Sequence, residues 1–227
     1  MNSLNQFLFG IYPYIALTIF LLGSLARFER EQYTWKTDSS QLLHRGQLRL
    51  GNILFHIGIL GLFFGHLAGL LTPVIVWDTL GVSHTLKQTV AMVAGGVMGG
   101  LCLIGLLILI HRRFTNPRIA HATRTGDKIL LLWILVTLLL GLSTIVLSAG
   151  HMDGEMMVLL MTWAQHIVTF QGDAASYITD VPLLFKAHLF MGLTLFVIFP
   201  FTRLVHVWSG FASLGYLGRA WQLVRPR

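Results

Sequence analysis

The chain has 227 residues, 55% of them apolar and only 11% charged, with a net charge of +7. An ordinary soluble domain is about 25% charged, so this composition excludes a soluble enzyme and describes an integral membrane protein with room for several spanning helices. The basic residues cluster beside apolar runs, a pattern of membrane topology and not of nucleic-acid binding. A spanning helix needs about 20 mostly apolar residues, and five stretches qualify. The first runs from about Phe7 to Ala26. No basic residue precedes Arg27, so it lacks the n-region of a cleavable signal peptide and reads as a retained helix. The second covers about Leu50 to Leu71 and stops before Pro73. The third covers about Lys87 to Ile110, the fourth about Ile129 to Ser148, and the fifth about Leu183 to Trp208. Between the last two, Glu155 to Phe170 has apolar residues at helical spacing and reads as a helix along the membrane surface.

The expectation is one all-α domain over residues 1–227, a five-helix membrane bundle. Arg27, Arg30, Lys36, Arg45 and Arg49 follow the first helix, and Arg112, Arg113, Arg118 and Arg124 follow the third. Arg219, Arg225 and Arg227 lie in the tail. A five-helix count puts these clusters on one side, which the positive-inside rule makes cytoplasmic. The N-terminus is then outside and the C-terminus inside. The single cysteine, Cys102, lies within an apolar run and reads as a small buried hydrophobe. One cysteine cannot hold an iron–sulfur cluster, which generally takes four thiolates.

Of ten histidines, His44, His84, His111, His121 and His151 fall in loops or at helix ends, and His166 in the surface segment. Exposed interfacial positions account for these. His56 and His66 in the second helix, and His188 and His206 in the fifth, lie inside spanning segments. An imidazole in hydrocarbon is costly without a partner, so each of the four marks a functional site. The second and fifth helices run in opposite directions. His56 and His206 therefore lie toward the cytoplasm, and His66 and His188 toward the outer face. Two cross-helix pairs at two depths suit haem iron with two axial nitrogens. They do not suit a zinc tetrahedron, which gathers four ligands at one point. Proton relays usually mix histidine with Asp or Glu, and no helix interior here holds a carboxylate.

Two details complicate the arrangement. His56 and His66 are ten residues apart, which turns their rings about 80° from each other around a straight helix. Gly61, Gly65 and Gly69 form a stripe beside His66, with Gly192 one turn from His188. Such a stripe serves helix packing or clearance for a flat macrocycle equally well. Arg203, one turn before His206, and Arg112 at the end of the third helix are candidate partners for anionic propionates.

The stretch His56–Gly69, KQTVAMVAGG from Lys87, GHMDG from Gly150, WAQHIVTFQGDAAS from Trp163 and FPFTRLVHVW from Phe199 resemble the gamma subunit of membrane-bound respiratory nitrate reductases. The resemblance runs from IYPYIA and YTWKTDSSQ to YLGRAWQLVR. It implies a dihaem b-type cytochrome of the bacterial inner membrane that oxidises ubiquinol or menaquinol near the outer face. Electrons would pass to an iron–sulfur beta subunit and then to a molybdenum-containing alpha subunit that reduces nitrate, both on the cytoplasmic side. The resemblance assigns the distal haem to His66 and His188, the proximal haem to His56 and His206, and the quinol site to a lysine matching Lys87. The segment Phe28–Leu50 and the tail from Phe211 are candidate docking surfaces for the beta subunit. A dihaem subunit of another anaerobic reductase would share much of this chemistry. A transporter is disfavoured by the lack of intramembrane carboxylates and of an inverted repeat.

Overall fold

The computed structural model describes residues 3–31 and 45–210. Every regular element among them is helical. Five helices are long and apolar enough to cross a membrane: α1 (Ser3–Glu31), α2 (Arg45–Leu71), α4 (His84–Thr115), α6 (Thr125–Ala149) and α8, whose regular part is Leu183–Ile198. Shorter helices join them: α3 (Val74–Thr79), α5 (Pro117–Ala122) and α7 (Glu155–Val168). The faces that point away from the bundle are apolar and exposed, as at Leu22, Val93 and Val146. Only a lipid solvent makes such faces stable across whole helices.

Local chemistry sets the ends. Ser83 caps α4 by accepting from the Leu86 N–H at 3.2 Å, so the helix starts at His84. At its other end α4 continues through the basic residues to Thr115, where Pro117 follows. The third helix is thus longer at both ends than its apolar run. Within α1, after the α-helical turn Ser3–Gln6, a π-helical turn covers Phe7–Ile11. There the Phe9 carbonyl accepts from the indole N–H of Trp163 in α7 at 2.9 Å.

The core has two parts. Cys102, Leu106, Leu130, Ile134 and Leu138 join α4 to α6. Phe9, Ala16, Trp163, Ile178 and Phe185 join α1, α7 and α8. α2 and α4 come closest. A Cβ on Gly58 would meet the backbone N of Cys102, and one on Gly105 would meet the backbone of Phe55. These helices touch main chain to main chain, as small residues permit in membranes. α7 packs its buried Met161, Trp163, Ala164 and Ile167 against the bundle.

The fifth spanning segment departs from a continuous helix over 183–208. Its α-helix ends at Ile198; a 3₁₀ turn covers Phe199–Phe201, Thr202 is extended, and a second 3₁₀ turn covers Arg203–Val205 before His206. Pro200 explains the break. It has no N–H to donate, and its ring clashes with the carbonyl a turn earlier. The carbonyls freed by the break are taken up by Arg27 of α1, whose Nη1 donates to Pro200 O at 2.7 Å and Thr202 O at 2.8 Å.

Candidate cofactor sites between the histidine helices

α2 carries His56 and His66 on one unbroken helix. α8 carries His188, and His206 follows the Pro200 break. α2 packs along α4, while α8 packs against α1 and α6, so the two histidine-bearing segments face each other across a gap. Across it His56 and His206 stand with ring centroids 6.2 Å apart and an interplanar angle of 65°. His66 and His188 stand 6.1 Å apart at 43°. The turn of about 80° between His56 and His66 is matched on the other side by the break, because Thr202 takes the chain out of the helical path before His206.

In every ring the same nitrogen is tied down. Nδ1 of His56 meets Asn52 O at 2.8 Å, and Nδ1 of His66 meets Leu62 O at 2.7 Å. Nδ1 of His188 meets Thr137 O at 3.0 Å, and Nδ1 of His206 meets Arg203 O at 2.5 Å. A carbonyl can only accept, so each Nδ1 carries the proton and each Nε2 keeps a lone pair. That tautomer presents Nε2 to an electrophile and fixes the ring's direction. His188 has a further constraint. A Cβ on Gly141 of α6 would lie 2.8 Å from its Cε1, so glycine is what lets the ring lie against α6.

The glycine stripe divides by function. Gly61 packs on Met98, whose Sδ would be 2.6 Å from an added Cβ. Gly65, Gly69 and Gly192 meet nothing within 4 Å and leave open space beside His66 and His188. Among the described residues no three of His, Cys, Asp and Glu are grouped to hold a bare metal ion.

The remaining predicted residues lie elsewhere. Arg203 forms an ion pair with Asp127 of α6 at 2.5 Å, and both side chains are mostly buried. Arg112 is fully buried at the end of α4. Lys87 is buried and lines a cleft with Val74, Trp77, His84, Met157 and Met161. Its ammonium sits 4.6 Å over the Trp77 ring and against the Met161 sulfur. α7 ties this cleft to the end of α2. One turn beyond Met161, Gln165 donates to Leu70 O at 3.2 Å and to Thr72 O at 3.1 Å. Sequence reasoning did not single out Trp77 or Gly141 and read Arg27 only as part of a basic cluster, because their roles depend on contacts with other segments. The candidate docking surfaces fall largely on residues 32–44 and 211–227, outside the described residues.

Fold and site together define a multi-pass membrane protein with two intramembrane histidine pairs. The nitrate reductase gamma subunit family matches residues 5–227, and the chain belongs to that family. It is 50% identical over 228 residues to the respiratory nitrate reductase 1 gamma chain of Escherichia coli (strain K12), covering 100% of both chains. It is 38% identical over 223 residues to the nitrate reductase gamma chain of Bacillus subtilis (strain 168), covering 98% of this chain and 99% of that one. The protein is therefore a subunit of a nitrate reductase complex, in an oxidoreductase role.

Proposed function

We propose that the chain is the dihaem b-type, quinol-oxidising membrane anchor of a respiratory nitrate reductase in the bacterial inner membrane. His66 and His188 would hold the distal haem, and His56 and His206 the proximal haem. The observation that carries this is the spacing of the rings. A first-row metal ion held about 2 Å from one nitrogen of each ring would put the two ring centroids roughly 6.3 Å apart. The measured separations are 6.2 and 6.1 Å. Protonated Nδ1 in all four rings supports the same reading, since Nε2 is then the ligand atom. The open space at Gly65, Gly69 and Gly192 suits a flat macrocycle.

When bound, the haems supply one-electron carriers whose potential answers to axial ligand, hydrogen bonding and burial. The residues do the rest. The four backbone carbonyls fix the rings, Gly141 gives His188 its position, and the Arg27 clamp holds the segment that presents His206. Arg112 and Arg203 are cations at the inner end suited to propionates, with Arg203 shared with Asp127. Lys87, held over Trp77, would place a donor beside a quinol oxygen.

The basic clusters after α1 and α4 support an outside N-terminus and a cytoplasmic C-terminus. On that reading residues 1–227 form one domain. Quinol is oxidised near the outer face, and electrons move inward to an iron–sulfur beta subunit and a molybdenum-containing alpha subunit. The step would serve anaerobic respiration, and nitrate assimilation where the complex feeds it. A reduced-minus-oxidised spectrum of the purified complex, with a short-chain ubiquinol as donor, tests the reading. The expected result is b-type absorption from two haems per chain, reduced by quinol. Folded protein without haem, or haem that quinol does not reduce, overturns it.

A further inference from the structure

The buried lysine of the cleft leaves one half of quinol chemistry without an agent. An ammonium donates hydrogen bonds and has no lone pair to take a proton. Oxidation of one quinol breaks two O–H bonds, sends two electrons to the haems and releases two protons. A proton acceptor must therefore lie within hydrogen-bond reach of the quinol oxygens, directly or through one water. Of the residues lining the cleft, only Lys87 and His84 titrate. His84 lies one turn before Lys87 on α4, on the same side of the helix. Its Nε2 is 3.2 Å from Oδ1 of Asp78 in α3. With Nε2–H donating to the carboxylate, the lone pair is on Nδ1, and the imidazolium formed on protonation faces an anion. Exposure rises along the cleft: Lys87 is 7% exposed, while the side chains of His84 and Asp78 are 42% and 50% exposed. The inner group is positioned to hold a substrate oxygen, and the outer pair can exchange protons with water. Gly154 packs directly on His84, because a Cβ there would lie 2.6 Å from Cβ of His84. Asp153 and Glu155 flank that glycine, and Lys87 is the nearest cation on the same helix. The indole N–H of Trp77 is buried with no hydrogen-bond partner among the described residues, a further donor that the fold leaves open beside the cleft.

We infer that His84, oriented by Asp78, is the base that takes the quinol protons in this cleft, one per electron transferred, and discharges them to water at the outer face. The inference rests on the quinol-oxidising reading above. The test is stopped-flow reduction of haem by a short-chain ubiquinol across pH 5–9 in the intact complex, with dithionite reduction reporting haem content. In the parent protein the rate should rise with pH, because the base must be unprotonated to take a quinol proton. His84→Gln should lower the rate at pH 7 at least about tenfold and flatten the profile, with dithionite-reducible haem unchanged. Asp78→Asn, which leaves the imidazole without its carboxylate partner, should lower the rate at pH 7 while keeping the rise with pH. Parent rate and profile in His84→Gln overturn the inference, even where Lys87→Ala abolishes quinol reduction. If the parent haems are not reduced by quinol at all, the functional reading itself fails.

Discussion

Arg27 of α1 holds the broken end of α8 through Pro200, with its Nη1 2.7 Å from that residue's carbonyl oxygen. Gly23, one turn earlier on α1, lies so close to Pro200 that an added Cβ would be 2.7 Å from its Cγ. The first helix thus supplies both the space and the cation that a proline break requires. Hydrogen bonds to a charged donor contribute about 1.5–3 kcal/mol each. Arg27→Gln should therefore weaken the presentation of His206 and spare His188. The expected outcome is a changed spectrum and midpoint for the inner haem alone, read by potentiometric titration of membranes. Equal effects on both haems would count against a local clamp.

The histidine pairs should fail separately. On the proposed reading, His66→Ala or His188→Ala removes one ligand of one haem, and His56→Ala or His206→Ala one ligand of the other. Each variant should lose one haem of two, and the two variants within a pair should give the same residual spectrum. Pyridine haemochrome quantitation checks the stoichiometry. Matching residual spectra from His56→Ala and His188→Ala would show that the ligands cross between pairs.

Gly141 offers a gentler probe of the outer pair. Gly141→Ala inserts a methyl group against the His188 ring. Either the ring or α6 must give way, at a cost of about 1–3 kcal/mol for overpacking. The outer haem should shift in midpoint while its ligand set stays intact, visible as a moved g value in electron paramagnetic resonance. Gly96→Ala, in open space on α4, should leave the same signal in place.

The contact between α2 and α4 predicts a contrast in stability. Gly105→Ala drives a Cβ into the Phe55 backbone, which cannot rotate away as a side chain would. The yield of folded protein and the Tm in detergent should both drop. Gly100→Ala, on the same helix with nothing within 4 Å, should be neutral or stabilise by about 0.5–1 kcal/mol through helix propensity.

The ion pair of Asp127 and Arg203 is mostly buried, so removing one member leaves the other poorly solvated. Asp127→Asn should destabilise by roughly 1–3 kcal/mol, and adding Arg203→Met should return part of that loss. A double-mutant cycle of thermal unfolding in detergent gives the coupling.

Much of this arrangement was legible in the chain. The five spanning segments follow from hydropathy, because a lipid-facing helix has few alternatives to apolar residues. The opposed directions of the second and fifth helices suffice to put His56 opposite His206 and His66 opposite His188. The helix ends were less legible. α4 runs on through Arg112 and Arg113, where hydropathy stops short because charged residues end the apolar run while the helix continues. The break in α8 had a visible signal in Pro200, but its direction depends on Arg27 and Gly23, more than 170 residues earlier in the chain. His84 read as a loop histidine because Asp78 and Lys87 gain meaning beside it only once α3 and α4 are folded together.

The main-chain contact at Gly58 and Gly105 bears on the electron transfer proposed for this chain. It joins α2 and α4 into a stiff two-helix girder, and both α2 histidines hang from it on an uninterrupted helix. The interval from His56 to His66, about 15 Å along that axis, then acts as a fixed ruler. Tunnelling rates fall off steeply with separation, so a redox chain mounted on such a ruler keeps its rate constant while looser parts of the protein fluctuate. On the proposed dihaem reading, flexibility can then reside at the Lys87 cleft, where quinol would enter and leave, without changing the distance between the haems.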